Sequence, residues 1–353
     1  MRQKLAIYPF FEELMPIMRH KNKIRDYELV YAIIPDGWET FSESDESFLG
    51  YICSEEKFYS ENLIHSIDAF LLCLPIFNIN YSLYHRITVL AEKHGKQIIY
   101  VFELEPVIRK LFMGQGICLR TEIADITPQT GIASIDVPVI MILGLGENCE
   151  KWDLQLELCD FFHHKGYRAT LISSNPISQL LGYYTLPSSF DNSGLTFSQH
   201  VQKINSFIKK IEIKENPDVI ILGVPGGILK YSHSVPNGYG YIPFLISNAV
   251  IPDLSILSLY SGNYTEQQLK EIQSTCYYRF GAEVNYFHIS KKVCDYDFET
   301  KKLNYFSVDH SYLIENIIRP LENMNTFSIS DSWSSQKVFE MIILELQNNV
   351  AIV

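Results

Sequence analysis

The feature that most constrains the fold is an apolar run, Val137–Leu143, that passes directly into a glycine turn. An uninterrupted apolar run of this length is typical of a central strand in a parallel sheet, because such a strand is buried on both faces. The helical spacing of Lys151–Lys165 follows the turn, and Gly166 marks its end. This part of the chain is therefore predicted to fold as a parallel sheet with covering helices.

The same alternation of strand and helix patterns extends over most of the chain. Five apolar runs precede the glycine turn: Lys4–Pro9, Glu28–Ile34, Phe48–Cys53, Asp68–Leu74 and Gln97–Phe102. Four more follow it: Arg168–Ile172, Asp218–Leu222, Leu254–Tyr260 and Val284–Ile289. We predict an α/β fold with two domains, a Rossmann-like parallel sheet over residues 1–105 and a second α/β domain over residues 137–353. Residues 106–136 are less regular and are interpreted as a bridging segment.

Length and composition limit the function classes. At about 150 residues per domain, 353 residues favour two domains. A content of 47% apolar and 20% charged residues excludes disorder as the main state. The net charge of −12 argues against a nucleic-acid partner, since phosphate binding without sequence preference needs clustered lysine and arginine.

Membrane and redox signals point to the cytoplasm. No apolar run reaches the roughly 18–20 residues of a membrane-spanning helix, so no membrane partner is expected. The short apolar stretch after Met1 is soon interrupted by Glu12 and Glu13, unlike a signal peptide. The seven cysteines form no Cys-x-x-Cys pair, which favours reduced thiols over a disulfide framework or a zinc site.

The turn Gly144–Lys151 has the arrangement that holds phosphate in P-loop proteins. A buried strand, a glycine turn and a helix with lysine in its first turn bring backbone N–H groups and a positive charge to one point. The full pattern is G-x-x-x-x-G-K-[ST]. Here Lys151 follows Gly144 at one residue more than that spacing, as in the dethiobiotin synthetase branch of P-loop proteins. The second domain is therefore predicted to be P-loop NTPase-like.

Three departures make this motif degenerate. Glu150 stands where glycine would precede the lysine, and its carboxylate would repel phosphate. Trp152 stands where a hydroxyl would bind Mg²⁺. The run Asp218–Leu222 lacks an acidic residue at its end, although the glycine turn after it, Val224–Gly227, resembles the one that follows the second Walker motif in that branch. A retained nucleotide site and a relic loop both remain open.

The candidate binding residues share a place on these two turns: Gly144, Gly146, Asn148, Cys149, Lys151, Gly226 and Gly227. No cofactor is certain, and the ligand they would suit is a nucleotide, ATP or GTP. If Mg²⁺ takes part, Asp153 or Asp191 would have to supply a ligand, and no metal site is predicted from spacing. Cys149 lies where a helix N-terminus lowers a thiol pKa, but the neighbouring glutamates favour a structural thiol.

Other motifs are less specific. The Gly- and Tyr-rich stretch 226–241 suits either a ligand or peptide surface or a structural loop. The run Tyr277–Phe280 is interpreted as helix packing. The C-terminal helical pattern, Ser335–Leu346, has few charges on its exposed face and would suit a homodimer contact. Pro9 and Phe10 follow the first strand run where a dinucleotide-binding domain would need glycines, which argues against an NAD(P) site there.

Three segments, Gly144–Gln155, Ile172–Pro176 and Asp218–Gly227, lie behind the Rossmann-like domain and carry a family resemblance. Together with the N-terminal runs Tyr8–Phe10 and Leu14–His20, they resemble a clostridial family of peptide maturation system proteins. That family occurs with ribosomally made Cys-rich peptides and a radical SAM maturase. A more distant resemblance is to two-domain proteins that join a Rossmann domain to a P-loop domain of the dethiobiotin synthetase branch.

This resemblance implies an accessory protein that binds or scaffolds during peptide maturation, with the precursor peptide and the radical SAM maturase as partners. It brings no catalytic residues with it. The alternative is a divergent NTP-dependent transferase or ligase that holds phosphate at Gly144–Lys151. The sequence leaves open whether the protein is an enzyme.

Overall fold

The computed structural model describes residues 2–38, 50–75, 80–101, 104–112, 116–119, 131–187, 194–232, 240–299 and 302–350. The chain divides into two compact units. The first contains Met1–Glu122 and Pro176–Ser188, and the second contains Ile123–Asn175 and Ser189–Val353. No sequence pattern indicated that Pro176–Ser188 groups with the first unit.

The first unit alternates strands and helices. Its regular elements up to residue 119 are β1 (Gln3–Tyr8), α1 (Met15–Arg19), β2 (Tyr27–Ile34), β3 (Ile52–Ser54), α2 (Glu55–Ser60), β4 (Ala69–Leu72), α3 (Tyr81–Lys93), β5 (Gln97–Val101), α4 (Glu105–Phe112) and β6 (Ile117–Leu119). The sheet order is β3-β2-β1-β4-β5-β6, and every pair is parallel. This is the strand order of the Rossmann fold.

The second unit repeats the pattern with longer helices. Its elements, with β9 of the first unit included in chain order, are β7 (Val139–Gly144), α5 (Lys151–His164), β8 (Ala169–Ser173), β9 (Tyr184–Thr185), α6 (Phe197–Glu215), β10 (Val219–Gly223), α7 (Tyr241–Ala249), β11 (Leu254–Leu259), α8 (Glu266–Phe280), β12 (Val284–Ile289), β13 (Lys292–Asp297), β14 (Lys302–Ser307), α9 (His310–Tyr312), β15 (Thr326–Phe327) and α10 (Ser332–Val350).

The central strands of the second unit lie in the order β15-β12-β11-β7-β10-β8, all parallel. β7 lies between β10 and β11, and all of its residues are buried, as expected for a strand covered on both faces. β13 and β14 form a separate antiparallel pair after β12. The prediction of an α/β fold with two parallel sheets is confirmed.

The position of β7 decides where a ligand could bind. The chain leaves β7 toward β8 and β10 on one side and continues through β11 and β12 on the other, so the strand order reverses at β7. In open α/β sheets, ligands bind outside the carboxyl ends of the strands at such a switch point. The turn 144–150 follows the carboxyl end of β7 and therefore occupies this place.

Candidate functional site

Backbone hydrogen bonds fix the turn after β7 between its two neighbours. Leu145 N donates to the carbonyl oxygen of Ser258 on β11 at 2.8 Å. From the loop after β10, Ile228 N donates to the carbonyl oxygen of Gly144 at 2.9 Å. These bonds bring the turn after β10, which carries Gly226 and Gly227, against the turn after β7. The seven candidate residues named from the sequence are thus brought into two adjoining turns.

The φ angles of the turn alternate in sign over its last residues. Asn148 and Glu150 have positive φ angles of 54° and 56°, whereas Cys149 and Lys151 do not. Alternation of left-handed and right-handed residues turns successive N–H groups toward one point, which is the backbone nest that P-loops use for phosphate. Asn adopts the left-handed conformation readily, but for Glu it costs about 1–2 kcal/mol. The conformation is therefore held by its surroundings.

Lys151 is the first residue of α5 and is 6% exposed. Its Nζ donates to the carbonyl oxygens of Val224, at 3.2 Å, and of Gly226. A buried ammonium needs such partners, since an unpaired charge in the interior is strongly unfavourable. The lysine thus links the turn after β7 to the turn after β10.

Two carboxylates lie beside this lysine, with different surroundings. A Glu147 oxygen is 3.9 Å from Lys151 Nζ, and its side chain is 40% exposed. Glu150 Oε2 instead accepts a hydrogen bond from Lys291 N at 2.9 Å. Burial, with a contribution from the charge of Asp153, raises the pKa of the Glu150 carboxyl. Glu150 is thus held by the backbone after β12, and Glu147 is the carboxylate that pairs with Lys151.

Cys149 packs beneath the turn. Its side chain is fully buried, and Sγ lies 3.3 Å from the carbonyl oxygen of Gly146. Burial raises the pKa of the thiol, against an opposing effect of Lys151. Because the thiolate is the reactive form, this environment supports the structural interpretation of Cys149.

At two glycines of the site, neighbouring atoms leave no room for a Cβ atom. A Cβ atom at Gly144 would lie 2.4 Å from Lys151 Cδ and 2.9 Å from the carbonyl oxygen of Gly146. A Cβ atom at Gly223, the end of β10, would overlap the Gln155 side chain at 2.2 Å. Gln155 is fully buried and accepts hydrogen bonds from Ser173 Oγ and Ser174 N. Gln155 thus fixes α5 to the end of β8, a role that the sequence did not indicate.

Sequence reasoning also missed two hydroxyl groups on the far side of the turn. Ser258 Oγ donates to the carbonyl oxygen of Cys149, and Tyr260 Oη donates to the carbonyl oxygen of Glu147. Both residues belong to an apolar run that indicated only a buried strand. The one signal was the presence of hydroxyls at two positions of the same parity in that run.

The residues considered for a metal are dispersed or lie outside the described part of the chain. Asp153 is buried in the first turn of α5, and Asp191 lies outside the described residues. Asp218 precedes β10 and pairs with Arg168, Oδ1 to Nη2 at 2.7 Å, at the edge opposite to the turn. Within the described ranges, no group of three or more His, Cys, Asp or Glu side chains is arranged to hold a metal ion.

One sequence interpretation on α8 is wrong. Tyr277 and Tyr278 were expected to pack, but they are 57% and 86% exposed, whereas Phe280 is buried. The buried positions of this helix are Leu269, Cys276 and Phe280. Residue 278 falls on the opposite side of the helix from these positions, and residue 277 lies at the border of the buried face. Of the Gly- and Tyr-rich stretch 226–241, residues 233–239 lie outside the described residues.

Comparison with known structures shows the fold. A DUF1611 family protein from Anabaena variabilis matches with a TM-score of 0.65 at 10% sequence identity, over 98% of this chain and 100% of that chain. The signal recognition particle receptor FtsY from Elizabethkingia anophelis matches with a TM-score of only 0.30 at 14% identity, over 53% of this chain and 57% of that chain, and supports no argument.

The first match shows that the α/β fold is shared over 98% of this chain. No protein-family model and no curated protein sequence matches the chain significantly. The resemblance to peptide maturation proteins therefore stays a prediction.

Within the described ranges, every helix is too short or too polar to cross a bilayer.

Proposed function

We propose that the second unit binds the phosphate chain of a nucleotide in the turn 144–151. The observation that carries the proposal is the alternating backbone of residues 148–151, which forms a nest at the N-terminus of α5. Non-glycine residues with positive φ are uncommon, and where they persist they cluster at functional sites.

The electrostatics of the turn favour an anion with several negative charges. The N-terminus of α5 contributes partial positive charge, and Lys151 contributes a full one. Glu147 opposes binding at 3.9 Å from Lys151 Nζ, but its partly exposed side chain can turn to solvent when phosphate arrives. We propose that Glu147 takes the place of the anion while the site is empty.

Isothermal titration calorimetry with pyrophosphate, ATP and GTP, each with and without Mg²⁺, tests this proposal. Lys151→Met should weaken binding by about 10- to 100-fold, because a hydrogen bond to a charged group contributes about 1.5–3 kcal/mol. Glu147→Gln should strengthen binding by up to about tenfold, because it removes the competing charge. These opposite signs are difficult to obtain from a general loss of structure.

The matched control is Lys165→Met. Lys165 caps the other end of the same helix, where its Nζ pairs with Glu340 at the surface. The Lys165→Met substitution should leave the affinity for pyrophosphate and nucleotides unchanged. Absence of heat with all three ligands at millimolar concentration would overturn the proposal, as would equal losses in the Lys151 and Lys165 variants.

As a second candidate, we propose the accessory role in peptide maturation, with the precursor peptide and the radical SAM maturase as partners. It rests on the sequence resemblance and on the exposed pair Tyr277 and Tyr278 on α8, whose rings lie 5.3 Å apart. Tyrosine is enriched at protein interfaces because its ring is apolar and its hydroxyl is polar. Nucleotide binding and this role are compatible.

A pull-down of the co-encoded peptide and maturase by the full chain tests the second candidate. The double variant Tyr277→Ser and Tyr278→Ser should lose the interaction if this surface carries it. Glu271→Ser on the same helix is the control, since Glu271 is also exposed. If the wild-type protein captured neither partner, the accessory role would be discarded.

A further inference from the structure

The carbonyl groups that precede the two positive-φ residues are both held by side chains from β11 and its extension. Ser258, paired in register with Gly144, donates to the carbonyl oxygen of Cys149. Tyr260 lies two residues further, so its side chain is on the same side, and it donates to the carbonyl oxygen of Glu147. The two donors are two residues apart on the strand, and the two carbonyl groups that accept from them are two residues apart in the turn.

Peptide geometry converts these two bonds into a direction for the amides. In a trans peptide, the C=O of one residue and the N–H of the next point in opposite directions. Holding the Glu147 and Cys149 carbonyls toward β11 therefore turns the N–H groups of Asn148 and Glu150 away from it. These are the N–H groups of the left-handed residues in the nest.

A buried histidine stands behind Ser258. His288 on β12 is fully buried, and its Nδ1 lies 2.7 Å from Ser258 Oγ. Because Ser258 uses its single proton on the Cys149 carbonyl, it accepts from His288, which places the histidine proton on Nδ1. Burial lowers the pKa of His288 to about 3, so the ring is neutral at ordinary pH. The two hydrogen bonds form an uncharged chain. In it, His288 donates to Ser258, and Ser258 donates to the Cys149 carbonyl oxygen.

We propose that Ser258 and Tyr260, with His288 behind Ser258, are positioning residues that hold the turn in its anion-binding conformation. The P-loop pattern has glycine where Glu150 stands, and glycine adopts positive φ without steric cost. In this protein, the hydrogen bonds from the two hydroxyls instead stabilise the positive φ angles of Asn148 and Glu150. The inference rests on the proposed phosphate binding, and it adds the residues that keep the site formed before the ligand arrives.

The test combines the removal of each hydroxyl with a glycine substitution at the positive-φ residue that this hydroxyl is proposed to hold. Pyrophosphate is the probe, and calorimetry gives its dissociation constant. Ser258→Ala and Tyr260→Phe should each weaken binding about tenfold. Adding Glu150→Gly to Ser258→Ala should restore pyrophosphate binding, and so should adding Asn148→Gly to Tyr260→Phe. Each double variant should bind pyrophosphate within about threefold of the single variant that carries the same glycine. Tyr264→Phe, which removes a nearby tyrosine hydroxyl, should change binding less than twofold.

This pattern of rescue separates positioning from a merely structural role. A structural role would lower the melting temperature of the Ser258 and Tyr260 variants, and glycine at the paired position would not recover the affinity. The inference is overturned if the hydroxyl deletions leave pyrophosphate binding unchanged. It is also overturned if the matched glycine does not restore it.

A ligand-free measurement keeps the two proposals apart. Backbone ¹³C chemical shifts of residues 148 and 150 report whether φ is positive in the empty protein. If wild type binds no pyrophosphate, the proposed function fails, and these shifts still decide the positioning role. Loss of the positive-φ signature in Ser258→Ala and Tyr260→Phe supports it, and its retention in both overturns it.

Discussion

The two units place the first strand of each sheet centrally, yet the turns that follow these strands differ in kind. Tyr8, the last residue of β1, and Phe10, two residues further, are fully buried, so large side chains occupy the strand end. After β7, the chain continues through Gly144 and Gly146 into the alternating backbone of residues 148–151. Large buried side chains lie at one strand end, and a turn with alternating φ angles follows the other.

The first unit also contains a buried polar cluster. Glu55, directly after β3, is fully buried and accepts hydrogen bonds from Tyr8 Oη at 3.2 Å and Arg86 Nη2 at 3.0 Å. Tyr59 Oη and Asp36 N also lie within hydrogen-bond distance of the same carboxylate. A negative charge with this many donors is satisfied internally, and it would repel a phosphate at this edge.

Parallel topology therefore brings a strand end to the switch point in both units, but it does not make a site. The chemistry is decided by the few residues after the strand. A Rossmann strand order in the first unit carries no implication of dinucleotide binding when side chains fill the turn. Substitutions at each strand end test this difference between the two units.

The largest effect is expected from Gly144→Ala. The new Cβ would meet Lys151 Cδ at 2.4 Å and the Gly146 carbonyl oxygen at 2.9 Å, so the turn would have to shift. Phosphate affinity should fall about 100-fold, and overpacking should lower the free energy of unfolding by about 1–3 kcal/mol. Calorimetry and urea unfolding measure the two quantities.

The control is Gly262→Ala, also in the second unit. Its Cβ would have no neighbour closer than 3.6 Å, so both quantities should stay close to the wild-type values. If Gly144→Ala bound phosphate as wild type does, the backbone of this turn would not be what distinguishes the two units.

The next effect is expected in the first unit, from Glu55→Ala. Removing the carboxylate leaves Tyr8 Oη in the interior without this acceptor, which should destabilise the protein by about 2 kcal/mol. The loss is below the 3–5 kcal/mol of a fully buried pair, because the Arg86 side chain is 48% exposed and stays solvated. Phosphate binding should not change.

Glu56→Ala is the matched control, since Glu56 is the exposed neighbour in the first turn of α2. Urea unfolding should detect the difference between the two variants. A change in phosphate affinity in Glu55→Ala would contradict the assignment of this cluster to stability alone.

Periodicity predicted the central strands of both sheets, because burial on both faces dictates the apolar pattern. It did not predict α4 and β6, which lie in the segment interpreted as a bridge. Val137–Leu143 reads as a strand since both faces of β7 are covered. α6 begins at Phe197, directly after Thr196, which forms a capping box with Gln199. Strand order is not visible in periodicity, because it depends on which distant segments pair.

The site was predictable only as far as local sequence defines it. Gly144, Gly146 and Lys151 belong to one turn and could be named. The carbonyl partners of Lys151 come from the loop after β10, and Ser258 and Tyr260 come from β11, so only the fold brings them together. Positive φ at Glu150 was equally hidden, because the sequence shows glutamate where the conformation asks for glycine.

The smallest effect is expected at the opposite edge of the second sheet, from Asp218→Asn. Hydrogen bonds from Arg168 lower the pKa of the Asp218 carboxyl, and the pair is partly exposed, so its loss should cost under about 1 kcal/mol at neutral pH. A carboxyl with a lowered pKa stabilises the fold above its unfolded pKa of about 3.9. The stability difference between wild type and variant should therefore be complete above about pH 5 and vanish as the pH falls through the folded pKa.

Urea unfolding at a series of pH values measures this difference, and phosphate binding at neutral pH should be the same in both proteins. The Asp218–Arg168 pair lies at the amino end of β10, whereas the nest lies beyond the carboxyl end of β7. A substitution that altered binding from that distance would mean that the sheet transmits strain to the turn. Unchanged binding would confine the chemistry to the carboxyl edge, where the two units differ.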